Sequence, residues 1–359
     1  MMFASRRVLL FLCGSSFCSL FVSLFLVRTT VRNNLHFTVR THDLRNSQET
    51  IGHISLSQGM RMMPTFKNDT PTTLKEIMAR EQERRLSLLR DGCKHFNKSH
   101  RNPVDYSHML VNDAHGILFN FIPKVSCSTW KRIFRKLYVH NKTGHFKLGA
   151  YSAEEKSTRI ANYRKVLFVR DPMSRILSTY MSKFCALATG NDSRLQRSWE
   201  NWYGRDIVKR YRGIKVKTLK GGEHLNITMT EFMNYIVDVG SGIKMTPIND
   251  HWLPQNVVSH PCQIGYDFIG HFEDLSVEGP YVLKWLKVDH LVQFPKYHVS
   301  KAVENLVKYY KEVPLGVVHK VTGYYEKDYK LFGYSADNIA SQLTKGLFGK
   351  YDQERISQH

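Results

Sequence analysis

The sequence predicts an α/β domain of three layers, with helices on both faces of a mainly parallel sheet. Three observations carry this. Ile117, Leu118, Phe119, Phe121 and Ile122 form an apolar run of strand length, closed by Pro123 and followed by a helical pattern. Lys165 to Phe184 repeats that arrangement: a buried strand at Val166 to Val169, a turn at Arg170-Asp171-Pro172, then a helix. About 240 residues lie between the N-terminal segments and a short tail, which suits one domain with a sizeable core.

Taken in order, residues 1–7 read as a cytosolic tail and residues 8–27 as a transmembrane signal anchor. Val8 to Val27 holds no charge and is long enough to cross a bilayer as one helix. Arg6 and Arg7 precede it, but Arg28 and Arg32 follow, so the positive-inside bias is weak. A cleaved signal peptide would be shorter and would end in an A-x-A-like site, which is absent before Arg28. Residues 28–92 read as a luminal stem. Within it Thr72 to Leu89 is helical, with Leu74, Ile77 and Met78 near one face and Glu81, Glu83, Arg84 and Arg85 as solvated charge. Residues 93–335 form the folded domain, and residues 336–359 a loose C-terminal tail.

Composition narrows the partners. The net charge is +21, from 52 Lys+Arg against 31 Asp+Glu, an excess that favours polyanions. A membrane anchor and N-x-[ST] sequons at Asn68, Asn97, Asn141, Asn191 and Asn226 turn this away from nucleic acid, toward polyanions such as anionic glycans. Basic clusters at Lys131–Arg132, Arg135–Lys136, Lys209 to Arg212 and Lys215 to Lys220 can grip such a chain or form a solvated face. Beyond the apolar run lie Cys93, Cys127, Cys185 and Cys262, enough for two disulfides in an oxidising compartment, although Cys127 sits in a turn that favours a free thiol. No spacing suggests zinc.

The Ile117–Leu137 stretch is an anion site by construction. Small residues Ser126, Ser128 and Thr129 precede a helix whose apolar face is Trp130, Ile133, Phe134 and Leu137. Free N–H donors and the positive end of the helix dipole therefore lie beside Lys124. The Walker glycines are missing, which argues against a nucleotide kinase. Arg170 ends the second strand, where open α/β sheets bind ligands.

PKVSCSTWKR followed by RDPMSRILS resembles the two nucleotide-binding motifs of Golgi carbohydrate sulfotransferases, in the branch with chondroitin 4-O-sulfotransferases and the HNK-1 sulfotransferase. NDHWLPQN, CQIGYDFIGHFEDL and YYEKDYKLFGY resemble the same branch, so the likeness runs from about Gly116 to Tyr334. It implies a P-loop-like sulfotransferase fold and a type II Golgi membrane enzyme with a luminal catalytic domain. The reaction implied is sulfonyl transfer from 3′-phosphoadenosine 5′-phosphosulfate to a sugar hydroxyl, needing no metal. The leading acceptor is O4 of N-acetylgalactosamine in chondroitin or dermatan. Sibling specificities are O4 of N-acetylgalactosamine on N-glycans and O3 of glucuronic acid; a silent glycan-binding protein is the alternative outside enzymes. Relatives often carry a cysteine in the strand before the PK turn and another downstream, where this chain has Asn120 and Ser259. The two losses fit loss of one whole disulfide.

The resemblance also implies residue roles. Pro123, Lys124, Val125, Ser126, Cys127, Ser128 and Thr129 would hold the 5′ phosphosulfate, with Lys124 neutralising the leaving oxygen. Arg170 and Ser178 would bind the 3′ phosphate, within a stretch that also holds Asp171, Pro172, Met173, Ser174, Arg175, Ile176 and Leu177. Arg175 can pair with a carboxylate instead. For the general base, His145 comes first, because it lies in a loop between the motifs, as the catalytic histidine of the related heparan 2-O-sulfotransferases does. His251 comes second, and His271 or Glu273 third.

Overall fold

The computed structural model describes residues 73–96, 103–140, 144–185, 193–240, 249–296 and 305–337. The apolar run Val8 to Val27, four of the five sequons and residues 338–359 of the C-terminal tail lie outside the described residues. Among the described residues, no helix is long and apolar enough to cross a membrane.

Four strands form one sheet in the order β1-β2-β3-β4: Met109–Asn112, Ile117–Asn120, Arg164–Val169 and Phe268–His271. β1 runs antiparallel to β2, and β2, β3 and β4 run parallel. Side chains alternate between the two faces of a strand, yet every residue of β1, β2 and β4 and all but the first of β3 are buried. Both faces are therefore covered, as in a layered α/β fold. The helices are α1 (Leu74–Phe96), α2 (Cys127–His140), α3 (Ala153–Asn162), α4 (Pro172–Lys183), α5 (Ser193–Trp199), α6 (Arg205–Arg212) and α7 (Met229–Gly240). After them come α8 (Gln255–Ser259), α9 (Pro261–Ile264), α10 (Leu275–Trp285), α11 (Leu306–Tyr310), α12 (Leu315–Tyr324) and α13 (Glu326–Phe332). A single π-turn, Glu200–Gly204, joins α5 to α6.

Trp130, Ile133, Phe134 and Leu137 of α2 are buried with the sheet, as their spacing predicts. A second cluster is helical and centres on Met173, Ile176 and Leu177 of α4, packed against Phe232, Met233 and Ile236 of α7. A Thr228–Glu231 capping box opens α7: the Glu231 N–H donates to Thr228 Oγ1 at 3.2 Å and the Thr228 N–H to Glu231 Oε2 at 2.8 Å. Tyr310, Tyr325 and Phe332 are core, whereas Val307 is 40% exposed.

The largest difference from the sequence reading is α1. It belongs to the folded domain, and the boundary drawn between residues 92 and 93 falls inside it. Arg85, read as solvated charge, is buried. Its Nη2 lies 2.8 Å from Glu278 Oε1, and its Nη1 donates to the Ile269 carbonyl at 2.8 Å. Gln82 donates to that same carbonyl at 3.0 Å and accepts the Ile269 N–H at 2.9 Å. The amide thus stands in for a missing strand and closes the β4 edge. The Cys93–Cys262 disulfide then ties α1 to α9, while Cys127 and Cys185 are free thiols. Changing Cys93 and Cys262 to serine is expected to lower stability by about 2–4 kcal/mol in denaturant titration, since the bridge closes a long loop. An unchanged midpoint would show that the α1 polar contacts alone hold the helix.

Candidate functional site

Pro123-Lys124 and Arg170 leave the carboxyl ends of adjacent parallel strands, so the two motifs meet at one end of the sheet. In the turn after β2, Lys124 and Ser126 both have positive φ, 69° and 53°. Alternating backbone handedness of this kind makes successive N–H groups converge into an anion-binding concavity. The sequence reading gave all N–H groups from Val125 to Thr129 to the ligand. Two of them are spent on the turn itself: Val125 donates to Ile122 O at 3.1 Å and Thr129 to Ser126 O at 3.0 Å. Those of Ser126, Cys127 and Ser128 have no partner among the described residues. They face outward at the first turn of the fourteen-residue α2.

Lys124 is not a surface lysine. Burial, reinforced by the charges of Lys183 and Arg170, pushes its ammonium down to about 8. Its Nζ donates to Ser182 Oγ at 2.9 Å. Ser178 lies one turn earlier on the same face of α4. Arg170 lies beneath the turn: its Nη1 donates to the Lys124 carbonyl at 3.1 Å, and its guanidinium sits 4.1 Å from the centre of the Phe272 ring. The Gln255 side-chain amide clamps the backbone N–H and C=O of Arg170.

The other residues of the second motif are structural here. Asp171 caps α4 by accepting the Ser174 N–H at 2.8 Å, and Pro172 occupies the first helical turn. Met173, Ile176 and Leu177 are fully buried in the helical core. Arg175, expected at a phosphate or a carboxylate, is engaged with the backbone. It is fully buried, and it donates to the carbonyls of Pro123 (3.0 Å), Leu253 (2.7 Å) and Asp250 (2.7 Å). Thr179 Oγ1 donates to His251 O at 3.0 Å. One face of α4 thereby fixes the PK turn against the segment carrying His251.

That segment holds the strongest acid–base arrangement of the site. His251 Nδ1 lies 2.9 Å from Asp250 Oδ1 and 2.8 Å from Asn249 Oδ1. Two oxygen acceptors put the proton on Nδ1, which leaves the Nε2 lone pair without a partner among the described residues. Burial holds the imidazole below its ordinary pKa; Asp250 opposes the shift and Lys183 and Lys124 add to it. The ring is therefore a neutral acceptor at neutral pH. His108 Nε2 lies 3.0 Å from the other Asp250 oxygen, and Ser107 Oγ is 2.9 Å from His108 Nδ1. Burial alone would raise the Asp250 carboxyl, but the hydrogen bonds from His108 and His251 hold it well below the usual carboxylate range.

His145, the first choice of the sequence reading, lies elsewhere. Lys147 bridges Leu110 in antiparallel sense, which places His145 level with the end of β1 and hence with Ile117, the amino end of β2. That is the opposite end of the sheet from Lys124, on the order of 15 Å away along the strand. The His145 N–H donates to Tyr151 Oη at 2.5 Å, and Tyr151 donates to Asp113 at 2.6 Å. Arg159 bonds the same carboxylate, so this is a structural polar cluster. His271 is buried against Tyr334, and Glu273 accepts from the Asp171 N–H and the Tyr334 hydroxyl.

Sequence reasoning missed His108, Asp250, Ser182 and Lys183. Asp250 stood beside His251 in NDHW, and His108 immediately precedes the apolar run of β1. Their pairing joins positions 142 apart in sequence and has no local signal.

A model of the sulfotransferase family matches residues 107–335. Carbohydrate sulfotransferase 14 of Danio rerio is 32% identical over 288 residues, covering 74% of each chain. Carbohydrate sulfotransferase 12 of Mus musculus is 28% identical over 299 residues, 71% of this chain and 68% of that one. Carbohydrate sulfotransferase 10 of Xenopus laevis is 30% identical over 284 residues, 70% of this chain and 75% of that one. No solved structure matches. With the match spanning the whole sheet and both strand-end motifs, the chain belongs to the sulfotransferase family and is one of its carbohydrate sulfotransferases.

Proposed function

We propose that the enzyme transfers the sulfonyl group of 3′-phosphoadenosine 5′-phosphosulfate to a hydroxyl of an anionic glycan, with O4 of N-acetylgalactosamine in chondroitin or dermatan as the leading acceptor. The observation that carries the reaction is the carboxylate-backed imidazole of His251 within electrostatic reach of Lys124, its segment tied to the PK turn by Arg175, which bonds the carbonyls of Pro123, Asp250 and Leu253. The donor class follows from the family, and the cradle fits it: three converging N–H groups, an ammonium, and the hydroxyls of Ser128 and Thr129. The acceptor class is supported by the excess of 52 basic over 31 acidic residues and by the resemblance of the later motifs.

The chain's residues divide the work. The N–H groups of Ser126, Cys127 and Ser128 orient the phosphosulfate, and Lys124 supplies positive charge where the leaving oxygen becomes an anion. Pro123 lies in the turn after β2, where Arg175 holds its carbonyl. Arg170 and Ser178 serve the 3′ phosphate. His251 Nε2 takes the acceptor proton, and Asp250, fixed by His108, stabilises the resulting imidazolium. Arg175 holds the two halves in register. As in phosphoryl transfer, positioning and electrostatics account for most of the catalysis. Incubating the enzyme with radiolabelled donor and a panel of desulfated glycans, then mapping the labelled hydroxyl, tests the assignment. Label confined to a position other than O4 of N-acetylgalactosamine would replace the acceptor; no label on any glycan would sink the reading.

The same proposal places the enzyme in the Golgi membrane, single-pass, with Val8 to Val27 as the anchor and the catalytic domain luminal. The Cys93–Cys262 disulfide supports an oxidising compartment. The full-length protein is expected to stay with membranes after carbonate washing and to carry endoglycosidase-sensitive mass. A soluble form starting near Arg28, with no membrane-bound pool, would show a cleaved signal instead.

A further inference from the structure

Trp202 is the most conspicuous exposed side chain near the site, with 65% of its surface open to solvent. Its neighbours in the π-turn are all committed. Glu200, fully buried, pairs with His224 Nδ1 at 3.0 Å. Asn201 exchanges two hydrogen bonds with the backbone of Leu219, at 2.7 and 3.4 Å. The hydroxyl of Tyr203 accepts from Asn249, whose Oδ1 faces His251 Nδ1. One turn of helix therefore joins a basic segment on one side to the proposed base on the other, and it presents Trp202 between them. Inserted π-turns of this kind cost hydrogen-bond geometry and concentrate at functional sites.

The basic segment is held in place. Arg205 Nε donates to Val216 O at 3.0 Å, and Val216 and Leu219 turn inward to the helical core. Lys215, Lys217 and Lys220 are left outward and exposed. From Trp202 the ring path to the base is short: Trp202 to Trp199 is 6.1 Å between centroids, and Trp199 to His251 is 5.0 Å. Lys183 Nζ caps the Trp199 ring at 4.2 Å.

We infer that the π-turn is a glycan subsite: the Trp202 indole stacks on the apolar face of a sugar flanking the reacting one, and Lys215, Lys217 and Lys220 hold the anionic groups of the chain beyond it. The occupant is an extended, carboxylate- or sulfate-bearing polysaccharide, argued from the charge of the segment and its physical continuity with His251. The inference rests on the acceptor reading above. An indole gives a broad, rigid apolar contact with little rotamer entropy to lose, which suits a flat sugar face.

Kinetics with desulfated chondroitin polymer and with a monosaccharide glycoside of the same sugar test it. Trp202→Ala is expected to raise KM for the polymer by about tenfold with kcat unchanged, the signature of lost uniform binding. KM for the monosaccharide and the affinity for 3′-phosphoadenosine 5′-phosphate should not move, and Trp202→Phe should restore most of the polymer KM. The triple change of Lys215, Lys217 and Lys220 to alanine should flatten the salt dependence of polymer KM. An unchanged polymer KM in Trp202→Ala, or equal losses on polymer and monosaccharide, overturns the subsite while leaving the acceptor reading intact. A wild-type enzyme that labels neither substrate overturns the acceptor reading, and the subsite falls with it.

Discussion

Lys124→Ala is expected to lower turnover by about 10²–10³-fold, the scale of losing charge stabilisation at a developing anion, with little change in melting temperature. The backbone explains why the fold should survive. Lys124 sits at φ 69°, a left-handed conformation that lysine and alanine pay for alike. Lys124→Gly is the sharper control. It removes the same ammonium and relieves the backbone cost, so it should be at least as stable as wild type and still inactive. Near-normal turnover in either variant would remove Lys124 from the reaction. The depressed ammonium adds a pH signature. Free Lys124 loses its proton near pH 8, and a bound phosphate favours the charged form. Nucleotide binding above that pH must therefore take up a proton. Affinity for 3′-phosphoadenosine 5′-phosphate should be flat between pH 7 and about 8, then weaken by up to tenfold per unit as pH rises. Calorimetric titration across that range reads it directly, and the slope should vanish in Lys124→Ala.

How much of this was legible follows from where each signal resides. β2 and β3 were readable because buried parallel strands are continuous apolar runs, and each was closed by a turn carrying polar residues. The PK turn was readable as an anion site because strand, turn and helix are contiguous. Its cost was not: closing the turn consumes the N–H groups of Val125 and Thr129, and only geometry shows that. α1 was misread through Arg85. A charge cluster on a helix normally faces water, and nothing local marks Glu278, almost 200 residues on, as the partner that buries it. Arg175 misled in the same way. An arginine beside a phosphate motif invites an ionic role, whereas here it satisfies three backbone carbonyls that the bent segments at both ends leave open.

Asn120 and Ser259 are a case where the sequence comparison pointed at a contact. The structure places them together: Asn120 Nδ2 lies 3.5 Å from Ser259 O, and both bond the Tyr266 hydroxyl, at 2.8 and 2.6 Å. A buried hydrogen-bonded trio occupies the junction between β2 and α8. Burial pushes the Tyr266 phenol far up, so it stays a donor at any physiological pH.

His251→Ala should separate proton transfer from nucleotide binding. Removing a positioned base costs roughly 10²–10⁴-fold in turnover. The contacts proposed for the phosphates run through Lys124, the turn N–H groups, Arg170 and Ser178, none of which is altered. Affinity for 3′-phosphoadenosine 5′-phosphate should therefore stay near wild type, whereas Arg170→Ala should weaken it. Asp250→Asn should slow turnover too, because an amide no longer stabilises the imidazolium. The wild-type pH profile carries an independent mark. Burial and two nearby ammonium groups hold the His251 imidazole below 6.5. As pH falls, activity should persist past the ordinary histidine range and drop only when the lowered pKa is crossed and Nε2 is blocked by a proton. His145→Ala, at the other end of the sheet, should turn over within about twofold of wild type, the effect of a surface change remote from the chemistry. The decisive comparison is between the two histidines in one rate assay beside calorimetric titration. A dead His145→Ala with an active His251→Ala would return the base to the loop and show that the reacting complex differs in geometry from the free enzyme. If both variants are active, the proton goes to a carboxylate, and Glu273, which accepts the N–H of Asp171 next to Arg170, is the next to change.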